Sequence, residues 1–246
     1  DPFLAAQFSN AVIAAQAFHW FDVMATANET RRILRPNGHA AVVWNLRRTS
    51  GSWQRDPQDL SGELLSALSA VERNGKVTLY AAGNLGTVLT RVVGDGGRWA
   101  ALSGRVTSLA LSAVWARSAD EVYAVGPAGT ILRRRGSKEQ ALWAVEGVGQ
   151  TDQALNAISG YADGAADADV YAVGAAGTIL HRSGGAWAIE GAVLTGQELT
   201  GVWAGKDVAF AVGRGGRVAR RFAGRWTLER VMDQGVLLTG DLLEIG

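Results

Sequence analysis

Few side chains in this chain of 246 residues are placed for chemistry. The three histidines, His19, His39 and His181, fall on three different predicted elements, and there is no cysteine, so neither a thiolate nucleophile nor a histidine–cysteine metal set can be assembled. His19 has no carboxylate at a helpful spacing apart from Asp22, and by itself it reads as a packing or hydrogen-bonding histidine. Asp163, Asp167 and Asp169 could suggest calcium. Their spacing departs from the EF-hand loop and no glutamate closes it, so an elongated solvated turn is expected. The glycine pairs Gly83/Gly86, Gly126/Gly129 and Gly174/Gly177 lack the Lys-Ser/Thr of a phosphate loop, and a strand pattern follows each. They are expected to supply positive φ in tight hairpins. Arg133-Arg134-Arg135, Arg220-Arg221, Arg91 and Arg182 lie at corresponding strand ends, which predicts a basic cluster along one rim. With 24 basic against 23 acidic residues, nucleic acid is not an expected partner.

These residues are carried by a repeat. Trp53, Trp99, Trp143, Trp187 and Trp226 recur at roughly 40–48 residues. Between them one phrase returns: Tyr80-Ala-Ala-Gly-Asn-Leu-Gly-Thr87, Tyr123-Ala-Val-Gly-Pro-Ala-Gly-Thr130, Tyr171-Ala-Val-Gly-Ala-Ala-Gly-Thr178 and, more faintly, Phe210-Ala-Val-Gly-Arg-Gly-Gly-Arg217. In the clearest unit, strands are predicted at 111–116, 121–125, 130–134 and 142–146, separated by turn residues. Four short antiparallel strands make one propeller blade. Such a sheet is apolar on both faces, so copies must stack, with Trp143 and Trp187 between them. The prediction is a mainly β chain: a partial or open β-propeller of four blades plus the start of a fifth over 51–246. The 32 glycines against 4 prolines suit short strands with tight turns. The 48% hydrophobic content supplies a core, and no segment approaches 18 uninterrupted apolar residues. The absence of cysteine leaves the compartment open. The first residue, Asp1, and the incomplete fifth repeat suggest ends cut from something longer.

The phrase Val-Tyr-Ala-Val-Gly-x-x-Gly-Thr-Ile-Leu, preceded by Ser-Ala-Asp and followed by Gly-x-Trp, resembles the repeats of bacterial propellers related to the photosystem II assembly factor and to BNR (Asp-box) proteins. Asp95-Gly-Gly-Arg-Trp99 is the best match to the Asp-box turn; Ser183-Gly-Gly-Ala-Trp187 and Ala223-Gly-Arg-Trp226 lack the aspartate. The resemblance implies fold. In the sialidases of that group the turn is structural, and no glycosidase constellation can be picked out here.

The first fifty residues have a different pattern. A short apolar strand at Ala11-Val-Ile-Ala-Ala15, a helix capped by Asp22 and running to about Leu34, a stop at Arg35-Pro-Asn-Gly38 and a strand at His39-Ala-Ala-Val-Val-Trp44 predict a βαβ unit. Ala14-Ala-Gln-Ala-Phe-His-Trp-Phe-Asp22, Arg31-Arg-Ile-Leu-Arg-Pro-Asn-Gly38 and Val42-Val-Trp-Asn45 together resemble class I S-adenosylmethionine-dependent methyltransferases. That resemblance implies that Gln16, His19 and Trp20 lie near cofactor or substrate. The Gly-rich loop and the ribose-holding acid of that fold have no match in this sequence. The expected arrangement is a methyltransferase-like fragment at 1–50 followed by propeller repeats at 51–246. The expected function is a noncatalytic binding module, without metal or cofactor, that takes a protein, glycan or small ligand at its rim or channel. The alternative is an S-adenosylmethionine-dependent methyltransferase whose cofactor-binding half is missing from the chain.

Overall fold

The computed structural model describes residues 65–94, 98–102, 104, 106–136, 141–163, 167–190, 196–229 and 240–242, together with the backbone of strands at 9–15, 34–43, 232–233 and 236–237. The chain divides into two compact units, Asp1–Ser50 with Gly246, and Gly51–Ile245.

In the first unit Ser9–Ala15 (β1) and Leu34–Val43 (β2) pair in parallel, with Ala11–Ala15 facing His39–Val43. A parallel pair requires a crossover between its strands. The helix expected from Asp22 falls outside the described residues, but Leu34, expected to end it, is already paired with Ser9. The register then jumps from Ser9↔Leu34 to Ala11↔His39. Arg35-Pro-Asn-Gly38 is therefore an irregularity within β2 rather than a stop before it, a place where a proline without an N–H is tolerated.

The second unit is built from four antiparallel meanders of four strands each. Blade 1 comprises Leu65–Arg73 (β3), Lys76–Gly83 (β4), Val88–Val92 (β5) and Ala100–Ala101 (β6). Blade 2 comprises Ala113–Ser118 (β7), Glu121–Val125 (β8), Ile131–Arg135 (β9) and Leu142–Glu146 (β10). Blade 3 comprises Leu155–Tyr161 (β11), Asp169–Gly174 (β12), Ile179–Ser183 (β13) and Ala186–Ile189 (β14). Blade 4 comprises Leu199–Gly205 (β15), Val208–Gly213 (β16), Arg217–Phe222 (β17) and Arg225–Glu229 (β18). A short hairpin, Met232–Asp233 (β19) with Val236–Leu237 (β20), follows. Among the described residues the unit has no α-helix. The first strands lie side by side in the order β3, β7, β11, β15, so successive blades meet face to face.

Three apolar clusters fill the seams. Tyr80 and Val88 of blade 1 pack with Val114, Val122, Leu132 and Trp143 of blade 2. Tyr123 and Ile131 pack with Leu155, Val170, Leu180 and Trp187. Tyr171 and Ile179 pack with Leu199, Val202, Ala211 and Trp226. Trp143 and Trp187 are buried between blades as the repeat predicts, whereas Trp53 lies outside the described residues.

The hairpin glycines divide into two kinds, which corrects the expectation that both supply positive φ. Gly86, Gly129 and Gly177 do, at 67°, 64° and 71°. Gly83 and Gly174 are extended, at −166° and −172°. The Gly174 requirement is steric: a Cβ there would stand 1.9 Å from the Ala154 carbonyl oxygen of the approaching chain. The other left-handed position of each turn goes to Leu85, Ala128 and Ala176, at 52–53°.

Candidate functional site

The arginines expected along a free rim are mostly spent inside the molecule, which corrects that reading. Register places Arg134, Arg182 and Arg221 opposite Trp143, Trp187 and Trp226 on the third and fourth strands of successive blades. Arg182 Nε and Trp187 Nε1 both donate to Oε2 of Glu146, at 3.0 and 2.8 Å, across the seam between blades 2 and 3. Arg221 Nε and Trp226 Nε1 repeat the contact on Oε2 of Glu190, at 2.8 and 3.1 Å, between blades 3 and 4. The acid stands three residues after the tryptophan of the preceding blade in both cases. Between blades 1 and 2 that position is Leu102, partly buried against the apolar cluster around Trp143. Here Tyr80 Oη donates to the Ala119 carbonyl at 3.3 Å instead.

A second row lies one strand position away. Arg133 is held between Glu121 and Glu146, donating from Nε to Glu121 at 2.8 Å and from Nη1 to Glu146 at 3.1 Å. In blade 3 its register equivalent is His181, held between Asp169 at 3.0 Å and Glu190 at 2.8 Å and stacked on Tyr171 with ring centroids 4.3 Å apart. Burial pushes the Glu121 carboxyl up, but hydrogen bonds from Arg133, Arg117 and Tyr123 outweigh it and hold the group below the usual carboxylate range. Glu190 is held low in the same way, by Arg221 and His181 against burial. Burial, with Asp169 and Glu190 nearby, pushes the Tyr171 phenol up to about 12. These side chains tie neighbouring blades together through Glu146 and Glu190.

Asp167 of the long β11–β12 connection and Asp169 at the start of β12 join this network, whereas Asp163 is exposed and meets Lys206 at 3.9 Å. Asp167 receives two hydrogen bonds from Arg182, both at 3.0 Å, and Asp169 meets His181. Among the described residues no group of three or more acidic or histidine side chains is arranged to hold a metal ion. Gln16, His19 and Trp20, and the Asp95-Gly-Gly portion of the Asp-box-like turn, lie outside the described residues.

Apolar side chains are exposed on several strands, among them Leu142, Phe222 and Leu68, and also on loops at the other ends of the strands. The β4–β5 turn and the β6–β7 connection are adjacent, since a Cβ on Gly86 would stand 2.1 Å from the Thr107 carbonyl oxygen. Around this contact Leu85, Val106 and Leu109 are 50%, 44% and 42% exposed. The next blade repeats the juxtaposition with Gly129 and Thr151, and Val148 on that β10–β11 connection is 79% exposed. Leu85 falls inside the repeated phrase, whereas no sequence feature marked Val106, Leu109 or Val148, because the repeat is defined mainly by its buried members. The cue available was position: each falls in a segment joining predicted strands.

No family's sequence profile matches the chain. A 53-residue stretch is 40% identical to an uncharacterized methyltransferase of Mycobacterium tuberculosis, and to one of Mycobacterium bovis, covering 22% of this chain and 22% of each relative. An uncharacterized methyltransferase of Schizosaccharomyces pombe is 43% identical over 42 residues, 17% of each chain. The chain thus spans about a fifth of the length of the curated relatives it matches. Among solved structures, U3-55K aligns with a TM-score of 0.54 at 15% identity, covering 73% of this chain and 56% of that one. The structure of ctPRC2 in complex with H3K27me3 and H3K27M aligns at 0.51 and 14% identity, covering 72% and 39%. With the four-stranded sheets, these likenesses show an open β-propeller fold.

Proposed function

We propose that the propeller unit is a noncatalytic interaction module and that it takes a protein partner, in the form of a peptide segment, on the face formed by the β4–β5, β6–β7 and β10–β11 connections. The observation that carries this reading is the set of exposed apolar side chains on neighbouring loops, Leu85, Val106, Leu109 and Val148, while Arg133, Arg182 and Arg221 are enclosed by carboxylates. Large apolar side chains in contiguous patches mark contact surfaces in soluble proteins. Selection of a displayed peptide library on the immobilised chain tests the reading. Apolar peptides are expected, and they should lose binding to Leu85→Asp, Leu109→Asp and Val148→Asp variants whose unfolding midpoints are unchanged. Peptides that bind all the variants equally would move the site elsewhere.

The methyltransferase-like stretch supports a second reading, in which S-adenosylmethionine is bound near Gln16, His19 and Trp20. Its support is the short 40% identity and the parallel pairing of β1 with β2, a pairing suited to a βαβ crossover. Isothermal titration with S-adenosylmethionine separates the readings. Saturation at micromolar cofactor, worth about 8 kcal/mol, would favour the enzyme.

A further inference from the structure

The seams on either side of blade 3 are built alike and differ in one cation. Between blades 2 and 3, Arg133 and Arg182 stand over the Tyr123 ring at 5.4 and 5.8 Å from its centroid, and Glu121 and Glu146 accept from Arg133. Between blades 3 and 4 the same places are filled in register. Tyr171 stands for Tyr123, Asp169 for Glu121, Glu190 for Glu146, Arg221 for Arg182 and His181 for Arg133. The His181 ring stacks on Tyr171 at 4.3 Å, and Arg221 lies over the same ring at 5.5 Å. Blade 4 also has an arginine at this register position, Arg220 opposite Phe210. His181 therefore holds a cation's place, and it is the one member of the set that changes charge between about pH 5 and about pH 8.

The surroundings of His181 require the charge. Nδ1 lies 2.8 Å from Oε1 of Glu190, and Nε2 lies 3.0 Å from Oδ1 of Asp169. An ionised carboxylate only accepts, so both ring nitrogens must donate, and only the imidazolium has two N–H groups. The neutral ring has one, and its other nitrogen turns a lone pair toward a carboxylate. His181 is 8% exposed, so little water reaches it to replace the lost contact. The described groups around the ring are Asp169 and Tyr171 on β12, Glu190 just after β14 and, from blade 4, Arg221 on β17 and the Trp226 indole on β18. Burial pushes the Glu190 carboxyl up, but Arg221 and His181 outweigh it, so the group stays ionised while histidine titrates. The Tyr171 phenol, pushed up by burial to about 12, stays neutral over the same range. Two anions thus face one fixed cation, Arg221, and His181 supplies the second only while protonated.

We propose that the seam between blades 3 and 4 is a proton-dependent contact: protonated His181 ties Glu190, the acceptor of Arg221 and Trp226, to Asp169, and loss of that proton releases one of the two carboxylates and loosens blade 4 on blade 3. The bridge is complete while the ring is charged and is lost as pH rises through the histidine range. The seam between blades 2 and 3 does not respond to this change, because the Arg133 guanidinium in the same place keeps its charge throughout. The device lies within the seam and is separate from the loop face proposed to bind peptides.

Trp226 and Trp187 are matched probes, since their indole N–H groups donate to Glu190 and Glu146 respectively. Their indole signals are followed by NMR in the full chain from about pH 5 to about pH 8. The Trp226 signal is expected to move in one titration step, while the Trp187 signal stays in place. Over the same step the amides of β17 should lose protection against hydrogen exchange, corrected for the intrinsic rate, and those of β9 should keep it. His181→Arg, which gives blade 3 the cation of blade 2, should abolish both responses, and Arg133→His should transfer the step to Trp187. A Trp226 signal that does not move, that moves together with Trp187, or that still moves in His181→Arg overturns the proposal. So does a step at Trp226 with unchanged protection of β17. Should either variant fail to fold, the comparison of Trp226 with Trp187 in the unaltered chain decides.

Discussion

Glu146 carries more of the fold than its surface position suggests, because three groups from two blades converge on it: Arg133, Arg182 and the Trp187 indole. Arg182 is 2% exposed and keeps its two hydrogen bonds to Asp167, so Glu146→Ala removes one of its two carboxylates and leaves the Trp187 indole N–H without its acceptor, a change that costs about 1–3 kcal/mol. Trp187→Ala should cost ~3–5 kcal/mol by opening a cavity. The paired double variant should cost less than the sum, since both changes break one contact; a urea titration of the four proteins checks this. Glu190 gives a pH prediction. Its carboxyl is held low in the folded chain by Arg221 and His181. Its contribution is therefore complete above the ordinary carboxylate range and is lost as pH falls through the lowered value. Urea midpoints measured from about pH 7 to about pH 3 should fall, and Glu190→Gln should flatten the acid limb. The tryptophans and their burial were legible in the sequence because a repeat requires them. The partners of the arginines were not, since Glu146 and Glu190 become neighbours of Arg182 and Arg221 only when one blade lies on the next.

Strands and hairpins show how much a local pattern determines. Glu121–Val125 and Leu142–Glu146 form as the alternation and turn residues predict, while the strand expected at 111–116 is displaced to Ala113–Ser118. The displacement follows from Leu111 and Ser112, which are occupied in docking: Leu111 bonds to Gly83 of the previous blade. The glycine roles were half legible. A positive φ is a local demand that Gly86, Gly129 and Gly177 reveal, whereas the need at Gly174 is set by a carbonyl twenty residues upstream, which no local reading supplies. Two opposite outcomes test this. Ala176→Gly should stabilise the chain by about 1 kcal/mol, the usual cost of an alanine at left-handed φ. Gly174→Ala should destabilise it, as the added methyl would collide with the Ala154 carbonyl. Thermal unfolding of the two variants reports the sign of each.

For the whole propeller unit, stability is a sum over blades and the seams between them, as in other repeat proteins. Blade 2 is sealed on both faces by blades 1 and 3, while blade 4 shares a described seam with blade 3 alone. Amides of β8 and β9 should accordingly exchange more slowly with solvent than those of β17 and β18, a difference that hydrogen-exchange mass spectrometry resolves at peptide level. Equal protection would mean that blade 4 is braced by more than its seam. The seams have a further property. Each charged one sets a lone carboxylate on the leading blade against an arginine and an indole on the following blade. The two faces of a blade are thus as unlike as plug and socket, and a blade cannot mate with its own mirror arrangement. Contacts made through them run head to tail, with no twofold axis between partners, so stacking either closes into a ring or continues as an open filament.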